Sequence, residues 1–323
     1  MLSSSLCTEA SLRSPKFLRW LDLIRPAWDE SGTGEPTYVH RKLWEWAFIA
    51  EALHERGVLR EGSRGIGFGV GTEPLSALFA SLGCEIVATD VAVEVAVANG
   101  WVSSGQHALS VETLNKFGIC DRADFIRRTS LEVVDMNRIP SHLTGFDFAW
   151  SSCAFEHLGS IELGQSFILN QMRCLRPGGV AVHTTEFNVS SNDETMDVGQ
   201  TVLFRRRDVD WIIDHLLARG HLVEIDYDPG ESPADRHVDV PPWSGVHLKL
   251  AIDKYVATSL GLIVEKATSP ARARFGLGAR ELLRYRLARD HPSTLGKVRA
   301  LRDDFTRVSR LLTADGRRPS KLP

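Results

Sequence analysis

The chain has 323 residues, of which 43% are hydrophobic and 24% charged, with a net charge of -3 and a mean hydropathy of -0.12. This length allows one large core with flanking additions. No apolar run approaches the roughly 20 residues of a membrane span, and the N-terminal segment lacks the apolar centre of a secretion signal. The five cysteines have no C-x-x-C spacing, which suits a reducing compartment. We therefore expect a soluble, cytoplasmic protein.

The N-terminal segment 1–60 is predicted to form a helical cap. Within it, "RKLWEWAFIAEALHERG" (41–57) has its aromatic residues at helical spacing. Trp44, Trp46 and Phe48 are predicted to pack against the core, with the alternative that one tryptophan lines a pocket.

Glycines at every second position mark the next segment, "IGFGVGTEPLSALFASLGCEIV" (66–87). A strand is predicted before them and a helix from Thr72 to Gly83 after them. The motif is G-x-G-x-G and not the dinucleotide fingerprint G-x-G-x-x-G. Asp90 ends the strand that follows this helix, where a carboxylate can accept hydrogen bonds from the ribose of a nucleoside.

Further strands are predicted at 84–90, 146–152 and 178–187, with a helix before the last of these, and the final two strands at 221–228 and 258–267. Such β-α-β units build a parallel sheet covered on both faces. The predicted fold class is α/β, a Rossmann-like, doubly wound and mostly parallel sheet over 61–267. An insertion at 229–257 leaves the carboxyl end of a strand and would overhang a bound substrate.

The C-terminal segment 268–323 is predicted to be a basic helical tail. From Lys266 onward there are 15 basic and 5 acidic residues, so this part carries +10 against -13 for the rest. Two amphipathic helices are predicted, at 279–290 and 295–312. Such helices are marginal alone, and they would dock on the acidic body, on a second subunit in a homo-oligomer, or on an anionic membrane surface.

Over 62–267 the sequence resembles the class I S-adenosylmethionine-dependent methyltransferases. The resemblance rests on "GFGVGTEP", "ATD", "VVDMNRIP", "FDFAWSSCAFEHL" and "LRPGGVAV" in that order. It implies S-adenosylmethionine as cofactor and the following contacts: Gly67, Phe68, Gly69 and Gly71 near its methionine part, Asp90 on the ribose, Asp135 and Met136 at the adenine, and Ser151, Ser152 and Cys153 beside the sulfonium.

Each of these assignments has a structural alternative, since Asp90 could cap a helix, Asp135 could be a turn residue and Met136 could fill the core. Many family members also carry an acid where this chain has Gly65. A backbone carbonyl or the N-terminal segment would then bind the methionine amino group.

Two places offer a catalytic base. His157 follows the fourth predicted strand and could deprotonate an acceptor, or could instead be a hydrogen-bonded core histidine. In the insertion, Asp235, His237 and Asp239 alternate, so an extended backbone would project them from one face. They could bind sugar hydroxyls, hold a divalent metal or deprotonate an acceptor, and Trp243 could support a sugar ring. The alternative is a solvated polar loop.

We therefore predict an O-methyltransferase acting on a hydroxyl of a saccharide or another polyhydroxylated small molecule. A loose resemblance to bacterial methyltransferases of polysaccharide and glycolipid assembly supports this class of acceptor. One alternative is a catalytically silent methyltransferase-like adaptor. Another is an RNA methyltransferase that uses the tail, although the acidic body argues against a nucleic-acid partner.

Overall fold

The computed structural model describes residues 1–29, 39–243 and 245–268. The two helices predicted in the tail, and whatever the tail docks on, lie outside the described residues. The strands are β1 (Ser4–Leu6), β2 (Arg64–Phe68), β3 (Glu85–Asp90), β4 (Thr129–Val133), β5 (Phe146–Ser152), β6 (Leu175–Asn188), β7 (Ile225–Asp226), β8 (Leu250–Ile252) and β9 (Tyr255–Glu265). The α-helices are α1 (Glu9–Leu12), α2 (Pro15–Leu23), α3 (Arg41–Glu55), α4 (Leu75–Ser81), α5 (Val93–Ala98), α6 (Arg122–Arg128), α7 (Ile161–Gln171), α8 (Arg206–Ala218) and α9 (Pro233–Arg236).

Within the described residues, nine strands form one sheet in the order β4-β3-β2-β5-β6-β9-β1-β7, with β8 paired to β9. The run from β4 to β6 is parallel, and β9 is antiparallel to β6. Strand order reverses between β2 and β5, which is the switch point where ligands of doubly wound sheets bind. The predicted Rossmann-like, mostly parallel fold is confirmed.

The edge beyond β9 differs from the prediction. The last two predicted strands meet at an isolated antiparallel bridge between Leu222 and Glu265, and beyond this bridge β1 lies between β9 and the short strand β7. The Ser4 hydroxyl accepts a hydrogen bond of 2.9 Å from the Ile263 backbone N–H and so fixes β1 in place. A strand as short as β1 carries too little alternation to be recognised in a sequence. The N-terminal segment 1–60 is therefore not wholly helical.

Two hydrophobic layers enclose the sheet. On one face α3 and α4 bury Trp44, Phe48 and Phe79 against the aromatic residues of β5. On the other face α7 and α8 cover the sheet, and Phe167 of α7 packs against Phe68 of β2. Trp44 and Phe48 are fully buried, as predicted for packing residues. No helix among the described residues has both the length and the apolar character needed to cross a bilayer.

Candidate functional site

Asp90 ends β3 beside the glycine loop, and its carboxylate binds backbone N–H groups from two loops. Oδ2 accepts hydrogen bonds from Gly71 (3.2 Å) and Ala108 (3.0 Å), and Oδ1 accepts one from Val91 (2.8 Å). Burial raises the pKa of Asp90, while the three N–H groups oppose that rise. Since α5 begins only at Val93 and has no side-chain cap, Asp90 is not a helix cap. It ties the glycine loop to the segment after α5.

The glycine loop itself is in contact with other parts of the chain. Gly69 and Gly71 have φ values of +58° and +53°, a region that favours glycine. A Cβ on Gly71 would overlap the carbonyl oxygen of Gln106, and one on Gly69 would lie 2.9 Å from the Ala154 Cβ. The same Cβ would lie 3.3 Å from the Met136 sulfur, so the Met136 side chain is also next to the loop. Both glycines are therefore required for the loop to pack as it does.

Other residues predicted to contact the cofactor lie in the core. A side chain on Gly67 would overlap Trp150, so its small size admits that indole. Phe68 is fully buried and packs edge-on against Phe167, with ring centroids 5.3 Å apart. The prediction that these two residues approach a cofactor can hold only for their backbone atoms.

Asp135 is exposed, and its side chain accepts a hydrogen bond of 2.8 Å from the Asn137 N–H at the start of a short 3-10 helix. This geometry is that of a turn aspartate. Its partner in the predicted adenine contact, Met136, is buried beside the glycine loop.

The three residues at the end of β5 face different surroundings. Ser151 is buried and shares a hydrogen bond of 2.8 Å with His183 Nδ1, so it belongs to the core. Ser152 donates to Glu45 Oε2 at 3.2 Å. Cys153 has a φ of +47° and donates its backbone N–H to the Thr184 carbonyl at 3.1 Å. Ser152 and Cys153 thus face a buried charged cluster that begins on α3.

We call Arg41, Lys42 and Glu45 the α3 charged cluster. The fully buried Glu45 carboxylate accepts hydrogen bonds from Lys42 Nζ (2.6 Å), Arg41 Nη1 (3.1 Å) and the Ser259 hydroxyl (2.5 Å). Burial alone would raise the pKa of Glu45, but Lys42 and Arg41 lower it to about 2. Arg41 also pairs with Glu186 near the end of β6. No sequence motif indicated this cluster.

Glu73 follows the glycine loop and accepts a hydrogen bond of 2.9 Å from Trp150 Nε1. Burial raises the pKa of Glu73 to about 8, while the Trp150 hydrogen bond opposes the rise. The carboxyl is therefore largely protonated at neutral pH, between the glycine loop and the α3 charged cluster.

His157 follows β5 in a short 3-10 helix, as predicted. Its Nδ1 lies 2.8 Å from the Gln200 carbonyl and 3.2 Å from the Thr201 hydroxyl. The ring is partly exposed and lies 5.7 Å from Trp101. Hydrogen bonding to the carbonyl through Nδ1–H leaves Nε2 as the basic nitrogen, and the role of His157 as a base remains a prediction.

The extended backbone predicted for Asp235, His237 and Asp239 is wrong. Asp235 lies in α9, where its side chain is almost fully buried and accepts hydrogen bonds from Glu9 N (2.7 Å) and Ser232 N (3.2 Å). The sequence "SPAD" is a capping box with proline at the first helical position, and this signal could have revealed the helix. The three residues do not gather into a metal-binding group in the described part of the chain.

Asp239 instead pairs with a histidine that no sequence motif indicated. Its Oδ2 lies 2.6 Å from His247 Nδ1. The imidazole rings of His247 and His40 stack, with centroids 4.4 Å apart. The backbone carbonyl of His247 accepts a hydrogen bond of 2.9 Å from the Arg41 backbone N–H. Burial lowers the pKa of His247, with Asp239 acting against that shift. The insertion therefore brings a neutral, carboxylate-bound imidazole to the start of α3.

The comparisons with known proteins concern the fold. No family model matches the chain, and no curated protein matches it. A magnesium protoporphyrin IX methyltransferase from Synechocystis PCC 6803 is 11% identical, with a TM-score of 0.43 over 70% of this chain and 83% of that one. A methyltransferase from Methanosarcina mazei is 14% identical, with a TM-score of 0.42 over 67% and 98%. One from Mesorhizobium loti is 13% identical, with a TM-score of 0.40 over 67% and 96%.

These solved structures are all described as methyltransferases, and this chain is similar to them in its Rossmann-like fold. A fold of this kind supports many chemistries. What the site does must therefore be inferred from its own residues.

Proposed function

We propose that the protein transfers the methyl group of S-adenosylmethionine to a hydroxyl of a saccharide or another polyhydroxylated small molecule. The observation that supports this most is the Asp239–His247 pair beside the α3 charged cluster. A neutral imidazole held by a carboxylate is suited to take a proton from an acceptor hydroxyl.

The residues around the switch point fit the proposed cofactor. Gly69 and Gly71 keep side chains away from the carboxyl end of β2, and Asp90 offers a carboxylate one strand further. Three of its acceptor positions are already used by backbone N–H groups. For Asp90 to bind both ribose hydroxyls, the segment that carries Ala108 must move away from the glycine loop.

The α3 charged cluster supplies opposite charges for the methionine end of the cofactor. Glu45 can pair with an ammonium group, and Lys42 and Arg41 with a carboxylate. In this assignment Glu45 provides the acid for the methionine amino group, because Gly65 stands at the position where many family members carry an acid. It also follows the expectation that the N-terminal segment takes over that role.

When bound, S-adenosylmethionine supplies an activated methyl group with its own leaving group. The remaining work is done by the chain, which orients the acceptor and removes its proton. Asp239 accepts the Nδ1–H of His247, and this leaves Nε2 as the proton acceptor. His157 is the second candidate for this task, since it follows β5 at the same edge of the sheet.

Trp243 supports a saccharide as the acceptor. It lies in the insertion with φ of +49°, and its buried Nε1–H has no acceptor among the described residues. An indole offers both an apolar plane for a sugar ring and a donor for a hydroxyl. The proposal includes a cytoplasmic location, which suits the five free cysteines.

Calorimetry with S-adenosylmethionine and label transfer together test the proposal. We expect the protein to bind the cofactor and to move label from its methyl group into a polyhydroxylated fraction of a cell extract. A catalytically silent adaptor with a degenerate pocket would release no heat, and label found only in RNA or in amines would contradict the hydroxyl acceptor.

A further inference from the structure

Three potential metal ligands converge where β5 and β6 end. They are the Cys153 thiol, the Glu156 carboxylate and the Glu186 carboxylate, and one ligand atom from each lies within 4.8 Å of the other two. We infer that these three residues form a binding site for a divalent transition-metal ion, with zinc as the best match. The site is separate from Asp235, His237 and Asp239.

Two buried carboxylate oxygens in this group have no hydrogen-bond partner among the described residues and could bind a cation. Glu156 Oε1 and Glu186 Oε2 have no hydrogen-bond partner among the described residues, and both side chains are buried, with Glu186 only 6% exposed. Their other oxygens are held by the Thr185 hydroxyl (3.1 Å) and by Arg41. An unpaired buried carboxylate oxygen is costly, and a cation between the two would satisfy both.

The chemistry of the donors favours a metal over an organic ammonium group. A thiol gains nothing from an ammonium ion, whereas a thiolate with two carboxylates is a donor set that Zn²⁺ accepts. Zn–S and Zn–O bonds of about 2.3 and 2.1 Å require donors about 3.5 Å apart. The three ligand atoms lie within 4.8 Å of one another, so metal binding would require them to move closer by about 1 Å. On binding, the thiol proton of Cys153 passes to solvent.

Arg41 then acts as an outer partner of the site. It pairs with Glu186 Oε1 and leaves Oε2 available to the ion, and its Nη1 lies 3.7 Å from the Cys153 sulfur. Hydrogen bonds of this type orient the carboxylates that bind a metal. Three protein ligands leave a fourth position for water or for an oxygen of a substrate, as in zinc sites that take part in reactions.

Metal binding can be measured without cofactor or acceptor, so this inference does not depend on methyl transfer. The full chain is treated with EDTA, dialysed and titrated with Zn²⁺ alone in a calorimeter, and the bound metal is counted by mass spectrometry. We expect one zinc ion per chain and a higher melting temperature. Glu156→Gln and Glu186→Gln should each weaken zinc binding at least tenfold.

Cobalt provides a signature that structural damage cannot imitate. Co²⁺ in the site should give a near-ultraviolet thiolate-to-cobalt absorption band that disappears in Cys153→Ser. Cys120→Ser is the control, because Cys120 is also a free cysteine but is buried in another part of the core. This control should keep the band, and circular dichroism verifies that each variant is folded.

Three results would overturn the inference: no stoichiometric zinc, cobalt bound without the thiolate band, or a band that survives Cys153→Ser. If methylammonium raises the melting temperature while zinc does not bind, the two carboxylates recognise an organic cation and the metal assignment is wrong.

Discussion

The glycine loop and the α3 charged cluster lie at the same edge of the sheet but are assembled differently. The glycine loop is held by a neighbour on the adjacent strand, since Gly71 and Asp90 are 19 residues apart. The α3 charged cluster joins distant parts of the chain, because Arg41 and Glu186 are 145 residues apart and Glu45 and Ser259 are 214 residues apart. The first depends on a motif and the second on the completed fold.

The two regions also differ in how they carry charge. Asp90 is an acid satisfied by backbone N–H groups, whereas Glu45 is satisfied by two cationic side chains. Removing Asp90 and removing Glu45 should therefore change the stability of the protein by different amounts.

The largest effect is expected for His247, which the insertion brings to the α3 charged cluster. His247→Ala should lower turnover by about 10²–10⁴-fold while cofactor affinity stays nearly constant, because it removes the proposed general base. Burial lowers the pKa of His247 from the ordinary histidine value of 6.5. The imidazole therefore stays neutral down to pH values below 6.5, and activity should decline only there. Steady-state kinetics across pH measures both effects.

His237→Ala is the comparison, because His237 is the other predicted base of the insertion, whereas Asp239 binds His247. Turnover lost in His237→Ala and kept in His247→Ala would assign the base to His237. If His157→Ala loses all turnover and His247→Ala remains active, the general base is His157 and not His247.

The next largest effect concerns Glu45. Glu45→Ala should lower the free energy of unfolding by about 3–5 kcal/mol, because it leaves Arg41 and Lys42 buried without their counter-charge. With the pKa of Glu45 lowered to about 2, its contribution is complete above pH 4.5 and is lost as pH falls towards 2. Urea unfolding measures this change.

Glu61→Ala is the comparison, because Glu61 also pairs with an arginine but its side chain is 74% exposed. It should cost about 1 kcal/mol or less. Equal losses in the two variants would mean that the α3 charged cluster adds no more stability than a surface pair.

A smaller effect is expected at Asp90. Asp90→Ala removes the acceptor of three backbone N–H groups and should destabilise the protein by about 1–3 kcal/mol even without cofactor. It should also weaken S-adenosylmethionine binding by about 1.5–3 kcal/mol if Asp90 holds the ribose. Calorimetry on Asp124→Ala gives the reference, because Asp124 is an exposed acid on α6 that is not among the predicted cofactor contacts. Unchanged affinity in Asp90→Ala would place the ribose elsewhere.

The fourth effect is a change in the pH dependence of stability, and it is expected at Glu73, between the two regions. Its pKa is raised to about 8, so the unfolded chain loses this proton from about pH 4.5 while the folded chain keeps it. Stability from this group is therefore complete below pH 4.5, declines as pH rises and levels off above about 8. Glu73→Gln should remove that slope, which unfolding curves at pH 5, 7 and 8.5 would reveal. Parallel curves for both proteins would contradict the raised pKa.

The difference between the two regions explains what the sequence could predict. The succession of strands and helices from β2 to β6 and the position of Asp90 follow from apolar runs and glycine spacing, which are local signals. Arg41, Glu45 and His247 offer no such signal, because each lies in a segment whose pattern predicts only a helix or a loop. Asp235 was assigned to the wrong geometry although its capping box was present in the sequence.

The position of β1 has a consequence for how the chain folds. Ser5 pairs with Gly261, so β1 cannot join the sheet until β9 exists, and β9 lies at the opposite end of the described chain. Contacts of such high sequence separation form slowly, since a long loop must close first. We expect the α3 segment and β1 to be the last parts to acquire protection from hydrogen exchange during refolding. The charged residues at the start of α3 would then reach their places only after the sheet has formed.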